Sequence, residues 1–276
     1  MTVKGLFGGR RGARRTPRAV QCTHERTKPA VTDTLLPTVV GVVALVGLAT
    51  TVLLFARAAS PWAPALAVAR GAAQLAVISL VLAGVIRSPL LIALVLTVMF
   101  TVAVVTASRR LGELRRMVVP VASSMAVGIT VTGVIVFATG AIEFSPRYAL
   151  AVGGIVIGNA MTIASISGRR FVELADDRWD DVEGWLALGA APRQATLQLV
   201  RRAVSAALVP TVDQTKTTGL VTLPGAFVGA VFGGLSPLEA GRFQIVVLAA
   251  IMAAGTCTAV LLTRWLAPLR TRPQLP

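Results

Sequence analysis

The chain has 276 residues, of which 55% are hydrophobic and only 14% are charged, and its mean hydropathy is +0.76. A soluble protein needs more charge than this to keep its surface hydrated, so the composition excludes a soluble fold and predicts a protein that crosses a membrane several times. The formal charge of +15 does not indicate nucleic-acid binding, because the 27 Lys and Arg residues gather at the ends of apolar runs, as in membrane proteins.

Residues 1–33 differ in composition from the rest of the chain. They carry many basic residues but no apolar core of the kind that a signal peptide needs. We therefore predict a disordered basic tail, and the break in composition suggests that translation begins near Val20 or Val31. Cys22 and His24 are potential metal ligands, but the favoured interpretation is that they belong to a disordered extension and bind no metal.

Seven apolar runs are about 20 residues or longer, the length that a helix needs to cross the hydrocarbon core. They cover residues 35–56, 62–86, 89–107, 118–140, 148–168, 203–235 and 243–265. Helices are expected rather than barrel strands, because no ten-residue alternating pattern is present and unpaired backbone groups are costly in lipid. The predicted fold is all-α: a polytopic transmembrane helical bundle of about seven spans over residues 34–268, with a short cytoplasmic tail at 269–276.

The basic residues predict the orientation of the spans. Arginines cluster after the third run, between residues 169 and 202, and at the end of the chain, and the intervening loops are poor in Lys and Arg. All three clusters fit one side of the membrane, the cytoplasm, which places the N-terminus outside. The basic tail conflicts with this orientation if it is part of the working protein.

Polar residues inside the spans are candidates for function, because ionisable and amide groups are costly in lipid. Arg70 and Gln74 lie at i and i+4 in the second span and share a helix face, where Arg70 either reaches the lipid headgroups or lines a polar path. In the fifth span Gly154 and Gly158 permit close approach of another helix, beside Asn159, whose amide can bond across that contact. Helix packing or a dimer interface is favoured there over pathway lining.

The cytoplasmic segment, residues 171–202, is acidic at first, then apolar and then basic. Its acids are Glu173, Asp176, Asp177, Asp180, Asp181 and Glu183. The stretch "DDRWDD" at 176–181 resembles the Asp-rich signature with which prenyl-transferring membrane enzymes hold Mg²⁺. Because a second Asp-rich loop is missing, a solvated helix face is the favoured interpretation.

The second half of the cytoplasmic segment predicts two short helices. The apolar residues Trp185, Leu186 and Leu188 follow the acids, and Gly189 and Pro192 are expected to end one helix and open the next. Leucines exposed between charges fit the groove of a partner protein. The alternative is an amphipathic hairpin that lies against its own bundle or the lipid surface.

The sixth run, with 33 residues, is too long for one upright helix, and "LPG" at 223–225 can break it. Asp213 and Lys216 lie at i and i+3, beside Gln214, and a structural ion pair is favoured over substrate binding. Glycine recurs at every fourth position beyond the break and offers a smooth stripe for close packing. These glycines are Gly225, Gly229 and Gly233.

Neither a metal site nor an ATP site is predicted. The spans offer Asp213, Cys257 and scattered methionines but no His, which is a poor ligand set for iron. None of the three lysines, Lys4, Lys28 and Lys216, ends a G-x-x-x-x-G-K-[ST] phosphate-binding loop. An uphill transporter built on this chain therefore needs its ATPase on another chain.

Several motifs resemble a known family. They are "RGAAQL" at 70–75, "GNAMT" at 158–162, "LALGAAP" at 186–192, "VPTVDQTKTTGLVTLPGAFVG" at 209–229 and "RFQIVV" at 242–247, and they resemble the FetB-type iron-export permeases of ABC transporters. Glu183 and Gly189 also match the spacing of the ABC permease coupling motif, although Gly184 and Trp185 replace its usual alanines. The downstream Leu-Pro of that motif is displaced to "LVP" at 208–210.

This resemblance implies a homodimeric permease of the bacterial inner (plasma) membrane that takes part in iron or other metal homeostasis. It implies a separate ATP-binding cassette subunit that binds ATP and Mg and docks on Glu183, Trp185, Leu186, Leu188, Gly189 and Pro192. The chain itself is then no enzyme and binds no cofactor. A secondary transporter driven through Asp213 and Lys216, and an Mg-dependent transferase using residues 176–181, are the alternatives.

Overall fold

A computed structural model describes residues 31–57, 59–85, 88–112 and 114–273 of the chain. The predicted tail at 1–33, with Cys22 and His24, lies outside the described residues except for its last three. The described residues form ten α-helices. They are α1 Val31–Phe55, α2 Ala63–Val85, α3 Pro89–Arg110, α4 Leu114–Ala138, α5 Pro146–Asp177, α6 Trp179–Ala187, α7 Pro192–Ala195, α8 Leu197–Thr217, α9 Gly225–Phe232 and α10 Pro237–Leu266.

Five helices among the described residues are long and apolar enough to cross a membrane. These candidate spans are Leu36–Phe55, Pro89–Arg110, Leu114–Ala138, Pro146–Asp177 and Pro237–Leu266. In α2 the apolar stretch Ala63–Ser79 is shorter. The chain is therefore a multi-pass membrane protein with an all-α fold, as the sequence predicts.

The sixth predicted run, residues 203–235, is two helices rather than one. Its first helix, α8, ends at Thr217, and Gly219 follows with φ +87°, a backbone conformation that glycine adopts without strain. Pro224 is the residue before α9, where its fixed φ and missing N–H suit the entry into a helix. These two residues explain why this run is interrupted.

The chain divides into two compact units, Met1–Val77 and Ile78–Pro276. In the first unit, most large apolar side chains of α1 are exposed, including Leu45 at 69% and Val43 at 65%. So much exposed apolar surface on one helix is suited to lipid or to another protein. Arg70 and Gln74 are both exposed on α2.

The helices of the second unit alternate in direction. The end of α3, the start of α4, the middle of α5 and the end of α10 share one apolar cluster, which includes the buried residues Ala107, Val121 and Leu262. A second cluster joins the end of α4 to the early parts of α5 and α10 and includes Val136 and Val247. The basic groups that follow α3, α5 and α10 therefore lie at one end of this unit, as predicted for the cytoplasmic side.

Close packing of α10 depends on glycines that the sequence patterns did not single out. A Cβ added at Gly128 of α4 would lie 2.7 Å from the carbonyl oxygen of Ala254 and 2.8 Å from Oγ1 of Thr258, both on α10. A Cβ at Gly255 would overlap the side chain of Ile163 on α5. Neither position accepts a side chain unless neighbouring atoms move.

The predicted packing glycines divide into two groups. A Cβ at Gly154 would lie 3.3 Å from Cε of Met99 on α3, so this glycine does face a neighbouring helix. A Cβ at Gly158, Gly225 or Gly229 would meet nothing within 4 Å. Gly233 is close only to backbone oxygens of α9 itself. Within the described residues of one chain, these last four glycines make no close contact with another helix.

Candidate functional site

The turn between α6 and α7 is set by backbone hydrogen bonds. Gly189 has φ +87°, and its N–H donates to the Leu186 carbonyl at 3.0 Å, while the N–H of Ala190 donates to the Trp185 carbonyl at 3.0 Å. This pair of bonds is a Schellman motif, which favours glycine because other residues are strained at positive φ. Pro192 then opens α7 at its first position. The turn thus holds its shape without help from the exposed side chains around it.

The inner face of α6 is anchored in an apolar cluster. Val182 is only 1% exposed, and Leu186 lies one helical turn later on the same face, partly buried. Both pack in a cluster that includes Phe171 of α5 and Val200 of α8. Leu186, which the sequence grouped with the docking residues, therefore belongs to the support of the segment and not to its outer surface.

The outer face carries two large exposed apolar side chains. Trp185 is 58% exposed and Leu188 is 82% exposed. Glu183 is also exposed and forms no ion pair among the described residues. Large apolar side chains that are held rigidly among charges, at the end of the unit predicted to face the cytoplasm, are typical of a protein-docking surface. We call Glu183, Trp185 and Leu188 the outer patch.

The end of the chain ties the cytoplasmic segment to the bundle. Thr196 is fully buried, and its Oγ1 donates a hydrogen bond of 2.8 Å to the carbonyl of Ala267. Arg272 donates from Nε to Oδ1 of Asp176 at 2.6 Å and from Nη2 to the Asp176 carbonyl at 3.3 Å. The hydrogen bond to Asp176 and its negative charge raise the pKa of Arg272, so the guanidinium stays charged.

The acidic residues at 173–183 do not converge. Glu173 pairs with Arg170 at 2.9 Å, Asp176 is engaged by Arg272, and Asp177 is exposed. In the part of the chain that the structure describes, no three His, Cys, Asp or Glu side chains come close enough to hold a metal ion. Glu173 and Asp176 are partly buried, and the other four acidic residues of this stretch are exposed.

A polar cavity of about 230 Å³ lies between α5, α8, α10 and the start of α9. The late turns of α8 and the early turns of α10 line it, so it lies toward the end of the unit opposite the cytoplasmic segment. Its polar side chains are Asn159, Thr211, Gln214, Thr215, Thr218 and Gln244. None of them is ionisable, so the polar groups of the wall are hydroxyls and amides, and the rest of the wall is apolar.

The hydrogen-bonding groups of this cavity are partly unused. Asn159 donates from Nδ2 to the carbonyl of Ile155 at 2.8 Å, and Thr215 donates to the carbonyl of Thr211 at 2.8 Å. The hydroxyl proton of Thr215 and one of the two amide protons of Asn159 are therefore used, while the side-chain oxygens of both residues can accept hydrogen bonds. Gln244 is only 6% exposed, and its Oε1 has no hydrogen-bond partner among the described residues. A buried amide without a partner is costly, which suggests that a solute or water bonds to it.

Only some of the polar residues that the sequence predicts as functional line this cavity. Asn159 and Gln214 line the cavity, whereas Asp213 and Lys216 are not among its lining residues. Lys216 and Asp213 form an ion pair of 3.4 Å with side chains that are 69% and 62% exposed. The sequence does contain a pattern that indicates the cavity: the polar residues that line it from α8 and its C-cap recur at i, i+3, i+4 and i+7, which places them on one helix face. Gln244 belongs to no such pattern, and only its position in an apolar run distinguishes it.

The chain is similar to a family of membrane proteins over most of its length. Residues 26–269 match the family described as "Uncharacterised protein family (UPF0014)". The UPF0014 membrane protein STAR2 of Oryza sativa subsp. japonica is 41% identical over 199 residues, 71% of this chain and 70% of its own. Protein ALUMINUM SENSITIVE 3 of Arabidopsis thaliana is 36% identical over 195 residues, 70% of this chain and 71% of its own.

A bacterial relative carries a functional name. The "Probable iron export permease protein FetB" of Escherichia coli (strain K12) is 33% identical over 138 residues, which are 50% of this chain and 53% of its own. The similarity to that protein thus spans about half of each chain. No solved structure matches this chain.

Proposed function

The chain belongs to the UPF0014 family of membrane proteins, and we propose that it is the membrane-spanning permease subunit of an ABC exporter. The names of two relatives support a role in metal homeostasis, one as a probable iron export permease and the other through aluminium sensitivity. Iron or another metal, free or complexed, is therefore the proposed cargo class, and the proposed location is the inner membrane of a bacterium. ATP and Mg are proposed to bind to a separate ATP-binding cassette subunit.

One observation carries this proposal: the outer patch is exposed but rigidly supported. Trp185 and Leu188 project from a hairpin whose inner face is anchored by Val182 and whose turn is closed by Gly189. A rigid hairpin transmits displacement, whereas a flexible loop would absorb it. We propose that the ATPase subunit binds the outer patch and moves the hairpin as hydrolysis converts it from its ATP-bound to its ADP-bound state.

The helix α8 offers a route from the hairpin to the cavity. It begins at Leu197, beside the apolar support of α6, and its last turns carry Thr211 and Thr215 on the cavity wall. Pro210 interrupts the hydrogen bonding of α8 immediately before this polar stretch, because proline has no N–H to donate. A tilt imposed at the start of α8 would then bend the helix at Pro210 and change access to the cavity.

The working unit is proposed to be a homodimer. Gly158, Gly225 and Gly229 are exposed with open space around them, and α1 exposes large apolar side chains in the isolated chain. Small residues allow helices of two copies to approach closely within a membrane. Cross-linking of single-cysteine variants at each of the three glycines in the membrane tests this, and the absence of any linked dimer in all three variants would argue against these surfaces.

The proposed function is tested by reconstitution with and without the motor. We expect ATP-dependent movement of ferrous iron across proteoliposomes that contain the permease and its ATP-binding cassette subunit. Neither protein alone should support it, because the permease has no energy source and the ATPase has no path through lipid. Full flux through the permease alone, driven by an ion gradient and abolished by Asp213→Asn, would establish the secondary transporter instead.

The polar cavity is proposed to hold the cargo during transport. Replacing Gln244 with leucine is expected to reduce ATP-dependent flux by about tenfold. The cargo would lose its hydrogen bond to the Gln244 amide, and a buried polar group left without its partner costs about 1–2 kcal/mol or more. The folded protein should be as stable as before or more so, since the change removes a buried polar group without a partner. Flux and thermal unfolding in detergent are measured together.

Gln198→Leu is the matched control for that variant. Gln198 lies on an exposed part of α8 and is not among the residues that line the cavity. Its replacement should leave flux unchanged. Unimpaired flux in Gln244→Leu, or equal losses in both variants, would remove the cavity from the transport path.

A further inference from the structure

A second cavity, of about 500 Å³, lies at the end of the second unit that is predicted to face the cytoplasm. It is lined by Arg193, Leu197, Val200, Leu261, Arg264, Trp265 and Ala267. These residues come from α7, the first turns of α8 and the last turns of α10, together with the residue that follows α10. The cavity thus spans the junction between the cytoplasmic segment and the last candidate span.

Two guanidinium groups at this cavity have no acidic partner among the described residues. The ion pairs among the described residues join Arg170 to Glu173, Lys216 to Asp213 and Arg272 to Asp176. Arg193 and Arg264 take part in none of them, and both are exposed. Two like charges that line one cavity repel each other unless an anion lies between them, and the fork of a guanidinium group fits two phosphate oxygens. The cavity therefore favours a phosphate group.

The rest of the wall is apolar. Leu197, Val200 and Leu261 contribute hydrocarbon, and Trp265, which is 54% exposed, lies in the last turn of the spanning helix α10. Tryptophan is enriched where a membrane meets water, because one edge of its ring is apolar and the other donates a hydrogen bond. A ligand that suits this wall has a phosphate at one end and hydrocarbon at the other.

From these observations we propose that the cavity binds the phosphate headgroup of an anionic lipid from the cytoplasmic leaflet. The phosphate lies between Arg193 and Arg264, and the acyl chains run along Leu261 and Trp265 toward the hydrocarbon core. Basic cavities between spanning helices at the cytoplasmic boundary suit such headgroups, since attraction to the phosphate adds to apolar contact with the chains.

The bound lipid would brace the cytoplasmic segment. Val200 and Ala267 line the cavity and also belong to the apolar cluster that supports α6. The carbonyl of Ala267 accepts the buried hydrogen bond from Thr196. A phosphate that links Arg193 to Arg264 would therefore hold α7 against the end of α10, on the path through which the outer patch is joined to the bundle.

The test compares lipid binding by matched double variants of the full chain in nanodiscs. The first carries Arg193→Gln and Arg264→Gln, and the control carries Arg109→Gln and Arg110→Gln, which remove two exposed arginines at the same end that do not line the cavity. Retention of phosphatidylglycerol in a phosphatidylcholine background is measured by mass spectrometry. We expect roughly thirtyfold weaker retention in the first variant, since each basic residue at a membrane surface contributes to binding an anionic lipid, and little change in the control.

Further measurements separate the alternatives. Arg264→Lys keeps the charge but loses the fork, so intermediate retention is expected, and thermal unfolding of each variant shows that it is folded. Equal retention by the two double variants, or equal binding of phosphatidylcholine by the wild type, would overturn the proposal. Displacement of the lipid by inorganic phosphate alone would identify a free-phosphate site instead. Loss of ATPase capture by the Arg193→Gln, Arg264→Gln variant, with its retention of phosphatidylglycerol unchanged, would overturn the proposal and identify a protein-docking site.

Discussion

Replacing Leu188 with aspartate is expected to weaken capture of the ATP-binding cassette subunit strongly while the permease stays folded. Leu188 is 82% exposed, so its loss removes no internal packing. A charge in its place must lose its water when the partner binds, which costs about 2 kcal/mol or more and weakens capture roughly thirtyfold. Copurification of the two subunits from membranes, followed by ATP-dependent flux, measures the effect.

Two companion variants make this result specific to docking. Leu188→Lys introduces the opposite charge at the C-terminal end of α6, where a cation is favourable for the helix, and should still lose capture. Leu220→Asp makes the same change at a residue that is 91% exposed in the turn after α8, away from the cytoplasmic segment, and should retain capture. Undiminished capture in both Leu188 variants would show that the outer patch is not the docking surface.

Replacing Gly128 with alanine is expected to destabilise the second unit strongly. The added Cβ would lie 2.7 Å from a backbone oxygen of Ala254, and backbone cannot move aside as the end of a side chain can. The helices α4 and α10 must then separate, which typically costs about 1–3 kcal/mol for overpacking. The midpoint of thermal unfolding in detergent and the yield of folded protein measure it.

Gly133→Ala provides a control in the same helix. A Cβ at Gly133 would meet nothing within 4 Å, and alanine is favoured over glycine in a helix by about 1 kcal/mol. This variant should therefore be as stable as the wild type or slightly more stable. If both alanine variants unfold at the same temperature, the close approach of α4 to α10 does not contribute to stability.

Much of the secondary structure follows from local sequence. The apolar runs predict the spanning helices because a length of about 20 apolar residues is required by the bilayer itself. Gly189 and Pro192 predict the turn of the cytoplasmic segment because the backbone preferences of glycine and proline act within a few residues. Both the fold class and this turn were therefore accessible before any tertiary contact was known.

The functional surfaces were less accessible. Trp185, Leu186 and Leu188 look alike in sequence, yet Leu186 is partly buried with Val182 while Trp185 and Leu188 are exposed. Which face of a short helix points inward depends on the element beneath it. For the same reason Gln244 gave no sign of its role, since only the packing of α5 and α8 around it creates a cavity there.

The sequence by itself determined that this chain is a multi-pass helical membrane protein, which end of its bundle is basic, and where its cytoplasmic segment turns. Those properties depend on hydrophobic length, charge and backbone preference, all of which act locally. Only the tertiary structure decided that Thr196 bonds to Ala267, 71 residues away, and that Asp176 pairs with Arg272, 96 residues away. Such contacts depend on how separate helices pack together, and spacing along the chain does not encode that packing.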